Sequence, residues 1–440
     1  MKLFRICLLV LTVSLVFQTG CQTPAGSGEG GKAPAQSFNT STTAEKDAAK
    51  APTAPPEEPL APLPPDHWLV GTSAVPDMVP ATIAADAPRT LLREYGPAYL
   101  EQIGAERVLH LKGTHYEMGF QHGTLMKDEV IAASARLRAV GSLSWEGDFK
   151  ASLGEAWRRC DPFIPQKFKD EIKGMSDATG LPLDYVQDFT IFPELFHCSG
   201  FALWGRATKD GELLHGRVLD YMRTAGLDKW ALIIIQEPEG GAAFVNVAYS
   251  GMIGSVTGMN DQQVAIGEMG GHGAEQWDGM PMTMLISECL ESSRTLDDVR
   301  RIMTDTPRTC EYYYVISDAK AENGRGMAYG VAAFLKEIQF IGPNESHERL
   351  PRPVEDAVLL SAGDRYNCLV DRALKMYGKF TPQEALDLMA RGVAMESNMH
   401  DALFKPRTME LWVANSTVRQ PACNRPYRHY DVRKLIAEKP

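Results

Sequence analysis

The chain has 440 residues, 44% of them hydrophobic, with 28 Pro and a formal net charge of -11. That acidic balance excludes a polyanion partner such as nucleic acid, whose binding draws on clustered Lys and Arg, and the pair Arg300-Arg301 reads as a solvated helix face. From about residue 88 onward the composition is globular, and some 350 residues suffice for one large domain or two small ones.

The N-terminus reads as a delivery segment. Lys2 and Arg5 precede an apolar run of 12 residues, 6–17, closed by Gly20-Cys21, the layout of a secretory signal and too short to span a bilayer. A small residue directly before a cysteine resembles a bacterial lipoprotein cleavage site, although Gln18 stands where an aliphatic residue is usual. The resemblance implies a signal over 1–20, a lipid-anchored Cys21, and an exported protein facing the periplasm or exterior, tied to the membrane through the lipid alone. A plain secretory signal is the alternative. Residues 22–66 hold nine Pro, nine Ala and one aromatic, Phe38, too little apolar surface to offset ordering entropy. We read 21–87 as anchor cysteine and flexible tether, with an end-to-end distance of ~35–40 Å by coil statistics.

Further along, 128–140 and 168–179 carry helical spacing, Gly180-Leu181-Pro182 ends the second, and another helix leads toward Phe196, so the stretch before Cys198 reads as mainly helical. After Cys198, strands over 200–207 and 213–219 flank the turn Lys209-Asp210-Gly211, and 231–236 and 242–249 continue as an antiparallel meander. Helical spacing returns over 283–290 and 297–303, strands over 312–317 and 326–334, helices over 369–377 and 382–390, and closing strands near 402–404 and 410–413. Runs of strands and helices in this order predict an α+β class, antiparallel sheets covered by helices.

Six cysteines remain once Cys7 and Cys21 are set aside: Cys160, Cys198, Cys289, Cys310, Cys368 and Cys423. With no C-x-x-C and no H-E-x-x-H, neither a metal nor another cofactor is expected. Judged on type and position alone, Cys198 between His197 and Ser199 reads first as a small buried hydrophobe; thiolate chemistry further requires a base and a means of holding negative charge.

The surrounding pattern adds to this. Gly113-Thr114-His115-Tyr116-Glu117-Met118-Gly119-Phe120-Gln121-His122-Gly123 is followed by Cys198, the hairpin and Gly216-Arg217-Val218-Leu219-Asp220, then Ser250-Gly251-Met252-Ile253-Gly254, Gly258-Met259-Asn260, Gly279-Met280-Pro281 and Ser397-Asn398-Met399-His400-Asp401-Ala402-Leu403-Phe404. Over about residues 108–415 this order resembles the penicillin acyltransferase-like family, the relatives of isopenicillin N acyltransferase, and more distantly the choloylglycine hydrolases, both N-terminal nucleophile hydrolases.

The resemblance implies a four-layer αββα sandwich and a precursor that cuts itself between His197 and Cys198. Residues 88–197 would form the mainly helical small subunit and 198–440 the catalytic large one, the two chains staying associated. Cys198 would be the nucleophile and its freed α-amine, with a pKa of ~7.7–8.0, the base. Arg217 and Asp220 match residues that contact the nucleophile in the choloylglycine branch, Arg217 favouring the thiolate and Asp220 orienting the ammonium; Ser397 matches a site serine of the acyltransferase branch. Val218 stands where these families carry Asn, and residues 264–269 lack the Asn expected to stabilise an oxyanion. The expected activity is cleavage, or acyl transfer, of a linear amide in a small N-acylated amine or amino acid. Two alternatives stand beside it: a papain-like thiol hydrolase using a distant imidazole such as His115, His122, His272 or His400, and a catalytically silent binding lipoprotein on the same scaffold.

Overall fold

The computed structural model describes residues 79–440 except 145–147, 192–196, 222, 224–225, 272–275 and 349. The signal, Cys21 and residues 21–78 of the tether lie outside the described residues, as does His272. The chain opens with three antiparallel strands, β1 (Arg89–Tyr95), β2 (Ala98–Ile103) and β3 (Glu106–Gly113). Five helices follow: α1 (His115–Leu125), α2 (Lys127–Ser144), α3 (Phe149–Cys160), α4 (Gln166–Thr179) and α5 (Leu183–Ile191). Helix α1 starts at a capping box in which Thr114 accepts from the Glu117 amide while the Glu117 carboxylate accepts from the Thr114 amide. The motif glycines serve close packing: a Cβ on Gly119 would stand 1.9 Å from the Glu171 carbonyl oxygen of α4, and one on Gly174 would stand 2.1 Å from the Tyr116 oxygen.

The remaining strands are β4 (His197–Leu203), β5 (Leu214–Asp220), β6 (Ala231–Pro238), β7 (Phe244–Tyr249), β8 (Thr257–Asn260), β9 (Val264–Gly270), β10 (Tyr312–Asp318), β11 (Met327–Ala333), β12 (Ile338–Ile341), β13 (Ala357–Leu360), β14 (Asn398–Lys405), β15 (Glu410–Asn415) and β16 (Arg428–Asp431). Between them lie α6 (Met282–Ser292), α7 (Leu296–Asp305), α8 (Asp364–Met376) and α9 (Pro382–Leu388), and α10 (Val432–Ala437) closes the chain. Ten strands form one sheet in the order β1-β2-β3-β6-β7-β8-β9-β10-β11-β12, and six form another, β13-β4-β5-β14-β15-β16.

Both sheets are covered on both faces. Alternation divides β6 cleanly: Leu232 and Ile234 join the core beneath α1–α7, whereas Ile233 and Ile235 join the core between the sheets with Ala402, Phe404 and Leu411. Helices α8 and α9 pack through Leu369, Val370 and Leu386 against the far side of the six-stranded sheet. The layers therefore run helix, sheet, sheet, helix, and the expected α+β sandwich stands.

Two expectations change. The meander is not continuous: β4 and β5 lie in one sheet, and the chain crosses between Asp220 and Ala231 to build β6 and β7 in the other. Strands buried on both faces read as similar apolar runs in either sheet, so pattern gave no hint of the crossing. Within the segment before Cys198, the last strand ahead of the helices, β3, pairs in parallel with β6, aligning Leu109 with Ile234. The chain is fastened to the folded unit earlier than residue 88: the Ala81 amide donates to Asp387 Oδ1 at 2.7 Å, and the Ala84 amide to the Tyr427 carbonyl at 2.7 Å. Among the described residues no helix is long and apolar enough to cross a membrane.

Candidate active site

Cys198 is the second residue of β4, directly across from Leu219 of β5, while His197 faces Asp220. Cross-strand partners share a face, so Cys198, Gly200, Arg217 and Leu219 look toward the ten-stranded sheet; a Cβ on Gly200 would meet Met269 Sδ at 2.7 Å. Asp220 occupies the alternate face, toward α8. The peptide joining His197 to Cys198 thus lies at the end of a hairpin whose partner strand brings Arg217 to one face and Asp220 to the other.

Arg217 is fully buried and fully engaged. Its Nη2 donates to Cys198 Sγ at 3.2 Å and to Glu268 Oε2 at 3.1 Å, its Nε donates to the Glu268 carbonyl at 3.1 Å, and its Nη1 lies 3.1 Å from His400 Nε2. Burial pushes the Cys198 thiol up to about 12; the Arg217 charge and a backbone hydrogen bond from Asp220 oppose that rise, and Glu268 adds to it. In the continuous chain the sulfur is therefore held as a thiol next to a cation poised to receive a thiolate.

Asp220 is buried and accepts from Arg365 Nη1 at 2.6 Å and from the Met395 amide at 2.9 Å. Burial raises its pKa to about 6 against the pull of Arg365. Arg365 also donates to Ser199 Oγ at 3.3 Å, and Ser199 lies 2.6 Å from Ser361 Oγ. Ser397, half-buried, meets this region through its carbonyl, which accepts from the Tyr221 amide at 3.1 Å. Its neighbour Asn398 is the more deeply placed: Nδ2 donates to the Leu219 carbonyl at 3.1 Å and to Asp401 Oδ1 at 2.8 Å, and Oδ1 accepts from the Cys423 amide at 2.7 Å. Asp401, raised by burial to about 8, also accepts from the Tyr427 hydroxyl at 2.8 Å. Val218 is buried in the apolar core.

Of the histidines weighed for a papain-like site, His115 bridges Glu171 at 2.7 Å and Glu291 at 3.1 Å, and His122 Nε2 accepts from the Gly251 amide at 3.1 Å. Burial lowers His122 to about 4. His400 approaches Cys198 only through Arg217, and among the described residues no imidazole is hydrogen-bonded to the sulfur. Cys198, Cys289, Cys368 and Cys423 are free thiols, and no group of three or more described His, Cys, Asp or Glu side chains is arranged to hold a metal.

Sequence reasoning missed Glu268, Arg365 and the Asn398–Asp401 pair. Glu268 carried a usable signal, a lone carboxylate in the apolar run Val264–Gly270, since a buried charge requires a partner. Arg365 carried none, because an arginine in the first turn of a helix ordinarily faces water.

Comparison with known proteins places this geometry in context. Residues 206–324 match the family model described as acyl-coenzyme A:6-aminopenicillanic acid acyl-transferase. That segment is similar to the acyl-transferase family. It carries Arg217, Asp220 and Glu268, and begins shortly after Cys198, so the recognition made from the motifs holds. Protein dcd1B of Dictyostelium discoideum is 24% identical over 379 residues, 76% of this chain and 75% of that protein. The N-acylethanolamine-hydrolyzing acid amidase of Mus musculus is 25% identical over 182 residues, 39% of this chain; the match spans about half of the amidase's length, 49%. Among solved structures, the Caenorhabditis elegans ortholog of that amidase superposes with a TM-score of 0.39 at 13% identity, over 48% of this chain and 93% of that one. By name, the family model is that of an acyl-transferase and the Mus musculus relative is an amide hydrolase.

Proposed function

We propose that this protein is a self-cleaving cysteine amidohydrolase or acyltransferase that acts on the linear amide of a small N-acylated amine or amino acid through a thioester on Cys198. The observation that carries the reading is the Arg217 Nη2 contact with Cys198 Sγ at 3.2 Å, inside a buried network opposite the Asp220 carboxylate.

In the precursor, Cys198 Sγ gives up its proton and attacks the His197 carbonyl carbon. The C–N bond to Cys198 breaks, its nitrogen takes a proton, and the acyl group rests on sulfur until water releases it. The new α-amine of Cys198 lies at the end of the hairpin near Asp220, whose carboxylate orients it as an ammonium. In turnover that amine accepts the thiol proton, the sulfur attacks the substrate carbonyl, and the amine returns the proton to the leaving nitrogen. Water or a second amine then takes the acyl group. Cys21 and the tether would hold the exported enzyme at a membrane face.

Intact mass of the purified protein tests this. Wild type should yield a chain of residues 198–440, and Cys198→Ala should stay whole and inert toward a small N-acyl amide. An uncut wild type with full activity would favour the papain-like reading, and an uncut, inert one the silent binding protein.

A further inference from the structure

The buried network does not end at Arg217. Arg217 Nη1 faces His400 Nε2 at 3.1 Å, Thr257 Oγ1 faces the same nitrogen at 3.2 Å, and the Tyr249 hydroxyl lies 3.2 Å from His400 Nδ1, its ring stacked on the imidazole with centroids 5.9 Å apart. A guanidinium only donates, so Nε2 must offer its lone pair. The imidazole is then neutral, consistent with burial and the adjacent Arg217 charge, which both lower its pKa far below the ordinary value. Its proton sits on Nδ1, which donates to the Tyr249 oxygen.

We infer that His400, held in this tautomer by Tyr249, is a positioning residue: a fixed neutral acceptor that locks the Arg217 fork so that Nη2 faces the Cys198 sulfur. The inference rests on the proposed thiol chemistry at Cys198. It gives His400 a role opposite to that of a papain-type base, because a nitrogen occupied by an arginine N–H takes no proton from a thiol. A guanidinium on a long side chain has several rotamers, and three of its nitrogens are fixed here by acceptors on different strands: Glu268 on β9, and Cys198 and His400 in the six-stranded sheet. Removing the β14 acceptor frees Nη1 and leaves a buried donor unsatisfied, which favours a rotated fork.

The test compares His400→Gln, which retains a neutral acceptor, with His400→Leu, which does not, and with Tyr249→Phe, which removes the partner of Nδ1. Two rates are read for each folded variant: appearance of the 198–440 chain, and iodoacetamide labelling of Cys198 located by peptide mass. We expect His400→Gln to stay within about threefold of wild type, His400→Leu to fall about tenfold or more in both rates, and Tyr249→Phe to lie between them. If His400→Gln were as slow as His400→Leu, the imidazole itself would be required and the positioning role would be overturned; if neither slowed, Arg217 would need no such lock and the inference would equally fail. Should wild type not cut itself, the self-cleavage reading would fall while the labelling rates still decided the role of His400.

Discussion

Arg365, in the first turn of α8, donates from Nη1 to Asp220 Oδ2 at 2.6 Å and is the cation that opposes the burial of that carboxylate. Asp220 stands at about 6, so it is charged and able to orient an ammonium above that pH and loses the ability below it. In Arg365→Leu the opposing charge is gone, and the Asp220 pKa should climb by about one unit or more. The acid limb of the rate–pH profile for self-cleavage or amide turnover should move to higher pH by the same amount. A limb that stays in place would detach Asp220 from the chemistry.

Stability should respond in the opposite sense. Because the folded pKa is raised from 3.8 to about 6, native protein binds more protons than unfolded protein between those values, and stability falls as pH rises through that window. The net cost at neutral pH, with the Arg365 partnership already counted, is on the order of 2–3 kcal/mol. Asp220→Asn should therefore melt within a few degrees of wild type at pH 7.5, with a flatter dependence of Tm on pH between 4 and 6, while self-cleavage falls about a hundredfold. A large loss of Tm with activity per folded molecule unchanged would return Asp220 to a structural role.

Gly267 tests how tightly the sheets close over the site. A Cβ there would stand 2.8 Å from Arg217 Cγ and 3.3 Å from His215 Nε2, and Arg217 is pinned at its far end. Gly267→Ala should fold with a Tm a few degrees lower and cleave itself about tenfold more slowly. Gly154→Ala, with nothing within 4 Å of its added Cβ on the exposed side of α3, should be neutral or stabilising by about 0.5–1 kcal/mol. Equal effects in the two variants, followed by thermal melts and intact mass, would mean that Arg217 has room to move.

After cleavage the two chains should remain together. The parallel β3–β6 pair crosses the cut, and so do His115 to Glu291 at 3.1 Å and Lys167 to Glu288 at 2.8 Å. Cleaved wild type should elute as one species in size exclusion and separate only in denaturant. His115, raised to about 9 by its bonds to Glu171 and Glu291 against its own burial, contributes stability that is present below pH 6.5 and lost as pH rises through 9. His115→Leu should abolish that alkaline loss; an unchanged alkaline melting profile would show that the clasp carries no weight.

The attachment of residues 81–85 sets where the chain can be shortened. A protein beginning at Val79 should be soluble and cut itself at the wild-type rate, whereas one beginning at residue 88 loses the bonds to Asp387 and Tyr427 and should melt several degrees lower. Cys21→Ser in the full chain should shift the protein from the membrane to the soluble exported fraction, followed by fractionation; membrane retention after signal removal would exclude Cys21 as the anchor.

Local pattern determined a good deal of this protein. Helix spacing over 168–179, the turn at Lys209-Asp210-Gly211 and the apolar strand over 312–317 reappear as α4, the β4–β5 hairpin and β10, because periodicity and turn chemistry act over a few residues. The order of motifs brought out Cys198, Arg217 and Asp220 as a group. What tertiary structure alone decided is which sheet each strand joins and what completes the site. Strands buried on both faces look alike in sequence, so the crossing after Asp220 was invisible, as was the entry of β1–β3 ahead of the helices. Glu268 and His400 come from distant strands and gather on Arg217 beside Cys198 only when the sheets stack, and Arg365 reaches Asp220 on the other face only when α8 closes it. Each acquires its meaning from burial: a charge or imidazole in water is commonplace, and the same group removed from water must find a partner, which here is the machinery surrounding one sulfur atom.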